Sequence, residues 1–164
     1  KDVARPVSGA VLVDGHEVEV RDAYAVLDRG RGRWPYSLTW NWAAGSGVVD
    51  GSVRGLQLGG KWTDGTGSTE NALLVDGRLS KIGEELTWDY DRTDWRRPWR
   101  ITGSGLDVTL HPFHERAART SLLVVASEVH QCFGEWEGWG ETDDGERVRF
   151  DGLVGWAEEA RNRW

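Results

Sequence analysis

Glu70 and His130 are the two side chains of this chain best suited to proton transfer. Glu70 follows a tight turn built from Asp64-Gly65 and Thr66-Gly67, in which the Asp64 side chain is expected to hold the turn. A strand begins beside Glu70, so it and Asn71 point to opposite faces, and one of them faces inward. A carboxylic acid in an aromatic pocket has a raised pKa and can protonate an alkene or a carbonyl group. The other interpretation is that Glu70 caps the loop or pairs with an arginine.

His130 begins the segment HQCFGEW and shares a face with Cys132 and Trp136. It is a candidate general acid or hydrogen-bonding group, although a hydrogen-bonded structural histidine explains the same pattern. Cys132, the single cysteine, is predicted to be a small core residue, and it excludes an intrachain disulfide. His111 and His114 point to opposite faces of a strand, so neither a metal site nor a cofactor is predicted.

Aromatic residues dominate the composition, with 11 tryptophans among 164 residues. In YSLTWNWA, the side chains of Tyr36, Leu38, Trp40 and Trp42 alternate with polar ones, the period of a half-buried strand. If this aromatic face points into a barrel, it forms the wall of an apolar pocket, and the alternative is a packed core. The residues predicted to line such a pocket are Tyr36, Trp40, Trp42, Trp62 and Trp88.

Alternation with period two continues along most of the chain and is interrupted by Asp-Gly turn signals at 14–15, 50–51, 64–65, 76–77 and 144–145, which suit type I′ hairpins. Residues 122–126, LLVVA, are predicted to form a strand covered on both faces. The tail 155–164 is either a short helix or a last strand. The pattern predicts one all-β domain over 1–164, an antiparallel up-and-down barrel with at most one or two short helices, because closure removes exposed sheet edges.

The chain has a net charge of −7 and a sequence pI of about 5.1. This balance argues against nucleic-acid binding, which needs clustered basic residues. The segment from Arg29 to Arg33 is a local exception, and we interpret it as a loop in which an arginine such as Arg31 pairs with Asp28 or Asp22. No apolar stretch suggests a signal peptide or a membrane span, so a cytoplasmic location is predicted.

Six motifs together resemble the family known as domain of unknown function 2804. They are LDRGRGRWPY (27–36), WNWA (40–43), LGGKWTDGTGSTEN (58–71), PW (98–99), HQCFGEWEG (130–138) and GWAEEARNRW (155–164). Members of that family are about twice this length, and the chain lacks methionine. The resemblance therefore implies that this chain is the C-terminal half of a two-barrel protein, whose N-terminal half is a possible partner.

That family is in turn similar to carotenoid 1,2-hydratases, to proteins with lipocalin-like folds and to cyclases that act on polyenes. It implies a lipocalin-like barrel and an apolar ligand. Gly32-Arg33-Trp34 also resembles the G-x-W of lipocalins, and Arg163 resembles the arginine that packs over that tryptophan, which gives Trp34 and Arg163 expected structural roles.

Three hypotheses follow. The first is a barrel that binds a polyene, terpenoid or lipid in an aromatic cavity. The second is a hydratase, isomerase or cyclase in which Glu70 or His130 supplies the proton. The third is a structural module that packs on its missing half.

Overall fold

A computed structural model describes all 164 residues, from Lys1 to Trp164. The chain forms twelve strands and no helix, so it has no helix long and apolar enough to cross a membrane. The strands are β1 (Asp2–Val13), β2 (His16–Leu27), β3 (Ser37–Val49), β4 (Ser52–Gly60), β5 (Ala72–Val75), β6 (Arg78–Lys81), β7 (Thr87–Asp89), β8 (Trp99–Gly103), β9 (Leu106–Leu122), β10 (Val125–Glu141), β11 (Arg147–Arg149) and β12 (Leu153–Arg163).

Ten of the strands form one strongly curled antiparallel sheet, a half-barrel. Its order is β6-β5-β4-β3-β12-β10-β9-β8-β7, and β11 pairs with β10. This is the order of an up-and-down barrel in which β12 returns to pair with β3, and the barrel is open between β6 and β7. The all-β antiparallel fold is therefore confirmed and is consistent with a lipocalin-like barrel, whereas closure by hydrogen bonds is incomplete.

Three of the five predicted Asp-Gly turns form two-residue hairpin loops. Asp14-Gly15, Asp50-Gly51 and Asp76-Gly77 each have positive φ at both residues and join directly paired strands. Asp64-Gly65 and Asp144-Gly145 have positive φ only at the glycine and belong to longer turns. Local turn chemistry thus sets the strand register where the loop is two residues long.

The tail is a strand, and it lies at the centre of the sheet between β3 and β10. The inside of the curl is filled with side chains, which form one apolar cluster. Its members are Ala43, Leu56, Leu58, Leu73, Trp99, Ile101, Leu106, Val108, Leu110, Cys132, Trp136, Val148, Phe150, Leu153 and Ala157. We call this side of the sheet the core face and the opposite side the outer face.

A glycine pair makes room for Trp136, one of the two tryptophans in this cluster. Gly45 and Gly155 are opposite each other in the β3–β12 ladder. The Trp136 indole lies over both, because a Cβ atom on Gly45 or Gly155 would come within 2.6 Å of it. The Trp136 Nε1 donates a hydrogen bond to the Ala44 carbonyl, 3.2 Å away. The small residues of β3 therefore face the core because a tryptophan from β10 fills the space above them.

Two hairpins extend beyond the sheet. The base of β1 packs on the outer face, where the Ala4 N–H donates to Ser46 Oγ. At the other hairpin, residues 122–126 form the β9–β10 turn and its flanks, and Leu123 is 99% exposed. The prediction of a strand covered on both faces is wrong here, because β9 and β10 reach past Ala126, the last β10 residue that β12 pairs.

Candidate ligand-binding pocket

The alternation along β3 places its tryptophans on the outer face. Ala43 belongs to the core cluster, so Trp40 and Trp42 point the other way. The predicted inward orientation of this aromatic face is therefore wrong. The reason is that the core face of β3 has to accept the Trp136 side chain from β10, which leaves room only for small residues there.

A pocket of about 370 Å³ opens on the outer face above these tryptophans. Five of its residues are tryptophans, three are carboxylates and two are basic. The lining consists of Lys1, Asp28, Arg29, Gly30, Trp34, Leu38, Trp40, Trp42, Trp62, Glu70, Glu158 and Trp164. The volume lies in the range of small-molecule sites.

Glu158 of β12 forms the polar part of the floor and is only 7% exposed. Its Oε1 accepts a hydrogen bond from Trp40 Nε1 at 3.1 Å, and its Oε2 accepts one from Gln131 Nε2 at 2.9 Å. Burial raises the pKa of this carboxyl group above its usual value, although both hydrogen bonds and the Lys1 charge oppose the shift. The pocket thus contains a buried acid whose proton is held more tightly than that of an ordinary glutamic acid.

Trp42 is fixed from three sides. Its Nε1 donates to Gln57 Oε1 at 2.9 Å, and its ring meets the Trp156 ring edge-on, with centroids 5.1 Å apart. The Lys1 ammonium lies over the exposed side of the ring, 4.1 Å from its centroid. This is the geometry of a cation–π contact, so Trp42 presents a rigid aromatic surface to a positive charge.

Glu70 completes this cationic subsite. Its Oε2 lies 3.1 Å from Lys1 Nζ, an ion-pair contact, and this buried oxygen accepts no hydrogen bond. Asp28 Oδ2 lies 3.7 Å from the same ammonium. Of the two residues that begin the strand-like segment, Asn71 faces inward, with Oδ1 accepting from the Gly59 N–H. Glu70 is the one that faces the pocket.

The arginine–glycine loop forms one rim of the pocket. The Trp34 indole folds back over Gly30 and Gly32, where a Cβ atom would already be in contact with it. Its ring meets Trp62 edge-on, with centroids 5.9 Å apart. Trp62 reaches this side because Lys61 has a φ of +68°, which breaks the alternation of β4.

Comparison with known protein families gives a match for the chain. The model described as Domain of unknown function (DUF2804) matches residues 1–164. The chain belongs to this family. No curated protein and no solved structure matches the chain.

Two residues predicted to line the cavity lie elsewhere in the DUF2804 domain. Tyr36 is largely exposed, and its hydroxyl donates to the Val124 carbonyl at 2.8 Å. Trp88 packs on the core face against Gly60, where a Cβ atom would lie 2.8 Å from its Nε1. Of the five predicted residues, only Trp40, Trp42 and Trp62 share the pocket.

The residues predicted to have structural roles also take definite places. Asp64 Oδ1 accepts from the Lys61 N–H at 2.8 Å and so closes the turn. Arg31 is exposed and makes no ion pair, since Asp28 pairs with Lys1 instead. The Arg163 Nη2 donates to the Leu123 carbonyl and makes no cation–π contact with Trp34. Along β12, Arg163 lies on the same face as Ala157 of the core, whereas the Trp34 indole lies on the outer face.

His130 lies on the core face, away from the pocket. Its Nδ1 is 2.8 Å from Glu115 Oε1, and its ring stacks on Trp95 with centroids 4.1 Å apart. Glu70 and His130 are therefore on opposite sides of the sheet and cannot act on one substrate bound in this pocket. No group of three or more histidine, cysteine or acidic side chains is arranged to hold a metal ion.

A second buried carboxylate, Glu159, lies on the core face and is 2% exposed. It accepts hydrogen bonds from Lys61, Arg161 and the Tyr90 hydroxyl. Burial disfavours its charge, but the hydrogen bonds from Lys61 and Tyr90 outweigh burial and hold its pKa below the usual value. Because these partners supply the hydrogen bonds that the buried Glu159 carboxylate needs, we interpret this network as structural.

Sequence reasoning missed Glu158 and Lys1 as pocket residues. Trp156 and Glu158 flank Ala157, which belongs to the core, and this alternation is a local sign that the tail is a strand. Glu158 lies in the pocket because it pairs with Trp42 in the β12–β3 ladder, and no local sequence pattern reveals that pairing.

Proposed function

We propose that this domain binds a small molecule with an apolar body in the outer-face pocket. The observation that carries the proposal is the pocket itself, in which five tryptophans surround three carboxylates within about 370 Å³. Indole rings provide large apolar surfaces with one polar edge, and a few placed polar groups orient a ligand. The interior of the curl is packed, so the outer face is the side with room for a ligand.

The kinship that the sequence motifs imply gives this proposal its ligand class. Carotenoid 1,2-hydratases and lipocalin-like proteins handle hydrophobic molecules, so a polyene, terpenoid or lipid is the first class to test. A fold alone does not define a ligand, because ligand specificity depends on the residues that line the pocket.

The experiment is native mass spectrometry of the purified protein, followed by organic extraction of any bound molecule and titration of its class against tryptophan fluorescence. Trp62→Leu is expected to weaken binding several-fold, because Trp62 lines the pocket. The matched control is Trp139→Leu, since Trp139 is half-buried beside Arg147 and outside the pocket. Equal weakening by both variants, or no quenching across a broad lipid panel, would contradict the proposal.

A second candidate function is acid catalysis by Glu158, as a hydratase, isomerase or cyclase. The specific observation is the buried carboxyl group with a raised pKa that lies against Trp40 in the pocket floor. A neutral carboxylic acid can protonate an alkene, and aromatic rings stabilise the carbocation that results. Glu158→Gln is expected to abolish turnover of a bound polyene and retain its binding. Unchanged turnover would remove Glu158 from the role.

A further inference from the structure

We infer that the pocket selects ligands with a positively charged amine or quaternary ammonium group attached to the apolar body. This inference rests on the proposed binding function and specifies its ligand class. Its basis is that an ammonium group, that of Lys1, already occupies the subsite between Trp42, Glu70 and Asp28.

The contacts of this ammonium are those that recognise organic cations. Its Nζ lies 4.1 Å from the Trp42 centroid, 3.1 Å from Glu70 Oε2 and 3.7 Å from Asp28 Oδ2. The Lys1 side chain is only 14% exposed, so the contacts form largely out of water. An aromatic face combined with carboxylates is the arrangement that binds quaternary ammonium groups in proteins.

The charge of the lining favours a cation over an anion. Two carboxylates, those of Asp28 and Glu70, lie within 3.7 Å of the ammonium in this subsite, and Lys1 is the one basic residue paired with either of them. The Glu70 Oε2 accepts no hydrogen bond, so a positive charge is its compensation in this site. A carboxylate ligand such as a fatty acid would bring a like charge close to Glu70 and Asp28, which is unfavourable.

Lys1 uses only part of the aromatic surface. Its ammonium contacts the Trp42 ring, whereas Trp34, Trp40, Trp62 and Trp164 line the remaining volume without a cation over them. This leaves space for the apolar body of a ligand next to the cationic subsite. Lys1 therefore acts as an internal competitor, which the ammonium of a ligand displaces.

The test compares three probes that share an aromatic body. They are benzyltrimethylammonium, its neutral carbon isostere neopentylbenzene, and phenylacetate, each titrated against tryptophan fluorescence at low and high salt. The ammonium probe is expected to bind about tenfold more tightly than the isostere. Phenylacetate is expected to bind most weakly, and the preference for the ammonium is expected to shrink with salt.

Variants then locate the preference at this subsite. Glu70→Gln is expected to reduce the affinity for the ammonium probe several-fold and to leave that for the isostere unchanged. Lys1→Ala is expected to raise the affinity for the ammonium, because it removes the competitor. The matched control is Glu137→Gln, an exposed carboxylate beside His111 outside the pocket. Asp28→Asn, in an exposed loop, repeats the test where folding is not at risk.

The outcomes separate the two proposals. Equal or tighter binding of the isostere would overturn the cation preference and leave the binding function standing. Tighter binding of phenylacetate would assign the subsite to anions and would equally overturn the inference. If no probe quenches fluorescence or shifts the melting temperature, the cation inference is wrong, whereas the proposed function is decided separately by the native mass spectrometry and the lipid panel.

Discussion

The indole N–H of Trp40 donates a hydrogen bond to Glu158 Oε1 across the β3–β12 pair, 3.1 Å away. The two residues are 118 positions apart in the chain. The bond ties the aromatic wall of the pocket to its most deeply buried carboxyl group, and Gln131 fixes that group from the other side. The floor of the pocket is thus held in place by both neighbouring strands.

Glu158→Gln is expected to change how stability depends on pH. The folded-state pKa of Glu158 is raised above its ordinary value of 4.5, so the folded protein binds the proton more tightly than the unfolded chain. Its contribution to the free energy of unfolding is therefore largest below about pH 4.5 and falls as the pH rises through the folded pKa. Urea denaturation of both proteins between about pH 4 and pH 7 measures this.

The variant should gain stability relative to the parent protein as the pH rises, because a neutral amide has no charge to bury. Other carboxylates, present in both proteins, cancel in the difference. A difference that is constant across the range would show that Glu158 is not protonated preferentially in the folded state.

Gly45→Ala is expected to destabilise the fold by about 1–3 kcal/mol through overpacking. The new Cβ atom would lie 2.6 Å from Trp136 Cδ1, and that indole is 1% exposed with no room to move. The matched control is Gly83→Ala, because a Cβ atom there meets nothing within 4 Å. Thermal unfolding compares the two variants, and an equal loss of stability in both would contradict the explanation by the Trp136 contact.

Local patterns predicted most of the strands and three of the two-residue hairpin turns, but the face of β3 that they predicted to be buried is the wrong one. The face of β3 with Trp40 and Trp42 is the more hydrophobic one by composition, so it was expected to point inward. In the structure the smaller residues Ala43 and Gly45 face the core, because Trp136 from β10 occupies the space above them. Which face of a strand is buried depends on side chains from strands far away in the sequence.

The pocket shows the same limit. Glu70 was identified from its loop, whereas Glu158 enters the site only through the pairing of β12 with β3. Lys1 enters it through the packing of β1 on the outer face. Contacts of this range leave no periodic signal in either segment, so the chemistry of the pocket could be named only in part from the sequence.

Cys132 is expected to resist thiol reagents in the folded protein. Burial, and then the nearby Glu115 charge, raise the pKa of its thiol to about 12, and the Sγ donates to the Trp95 carbonyl at 3.1 Å. At about pH 8 the reactive thiolate is therefore scarce and enclosed. Labelling with a chromogenic disulfide should be complete in urea and negligible in buffer, and rapid labelling in buffer would contradict the packed interior.

Tyr90→Phe is expected to destabilise the fold by about 1.5–3 kcal/mol at neutral pH, the range for a hydrogen bond to a charged group. The lost hydroxyl donates to Glu159 and accepts from Asn41 Nδ2 at 3.1 Å. The ring stack on Trp99, with centroids 4.0 Å apart, is kept by phenylalanine. The loss therefore reports the hydroxyl group alone.

The effect should depend on pH with the opposite sign to that of Glu158. The folded-state pKa of Glu159 is lowered from 4.5, so its stabilisation is present above that value and is lost as the pH falls through the folded pKa. Without the Tyr90 hydroxyl the pKa of Glu159 rises, so the difference in unfolding free energy should be larger at about pH 7 than at about pH 3. Tyr36→Phe is the control, since its hydroxyl meets an exposed carbonyl, and it should stay within about 0.5 kcal/mol. An equal loss in both variants at both pH values would remove Glu159 from the explanation.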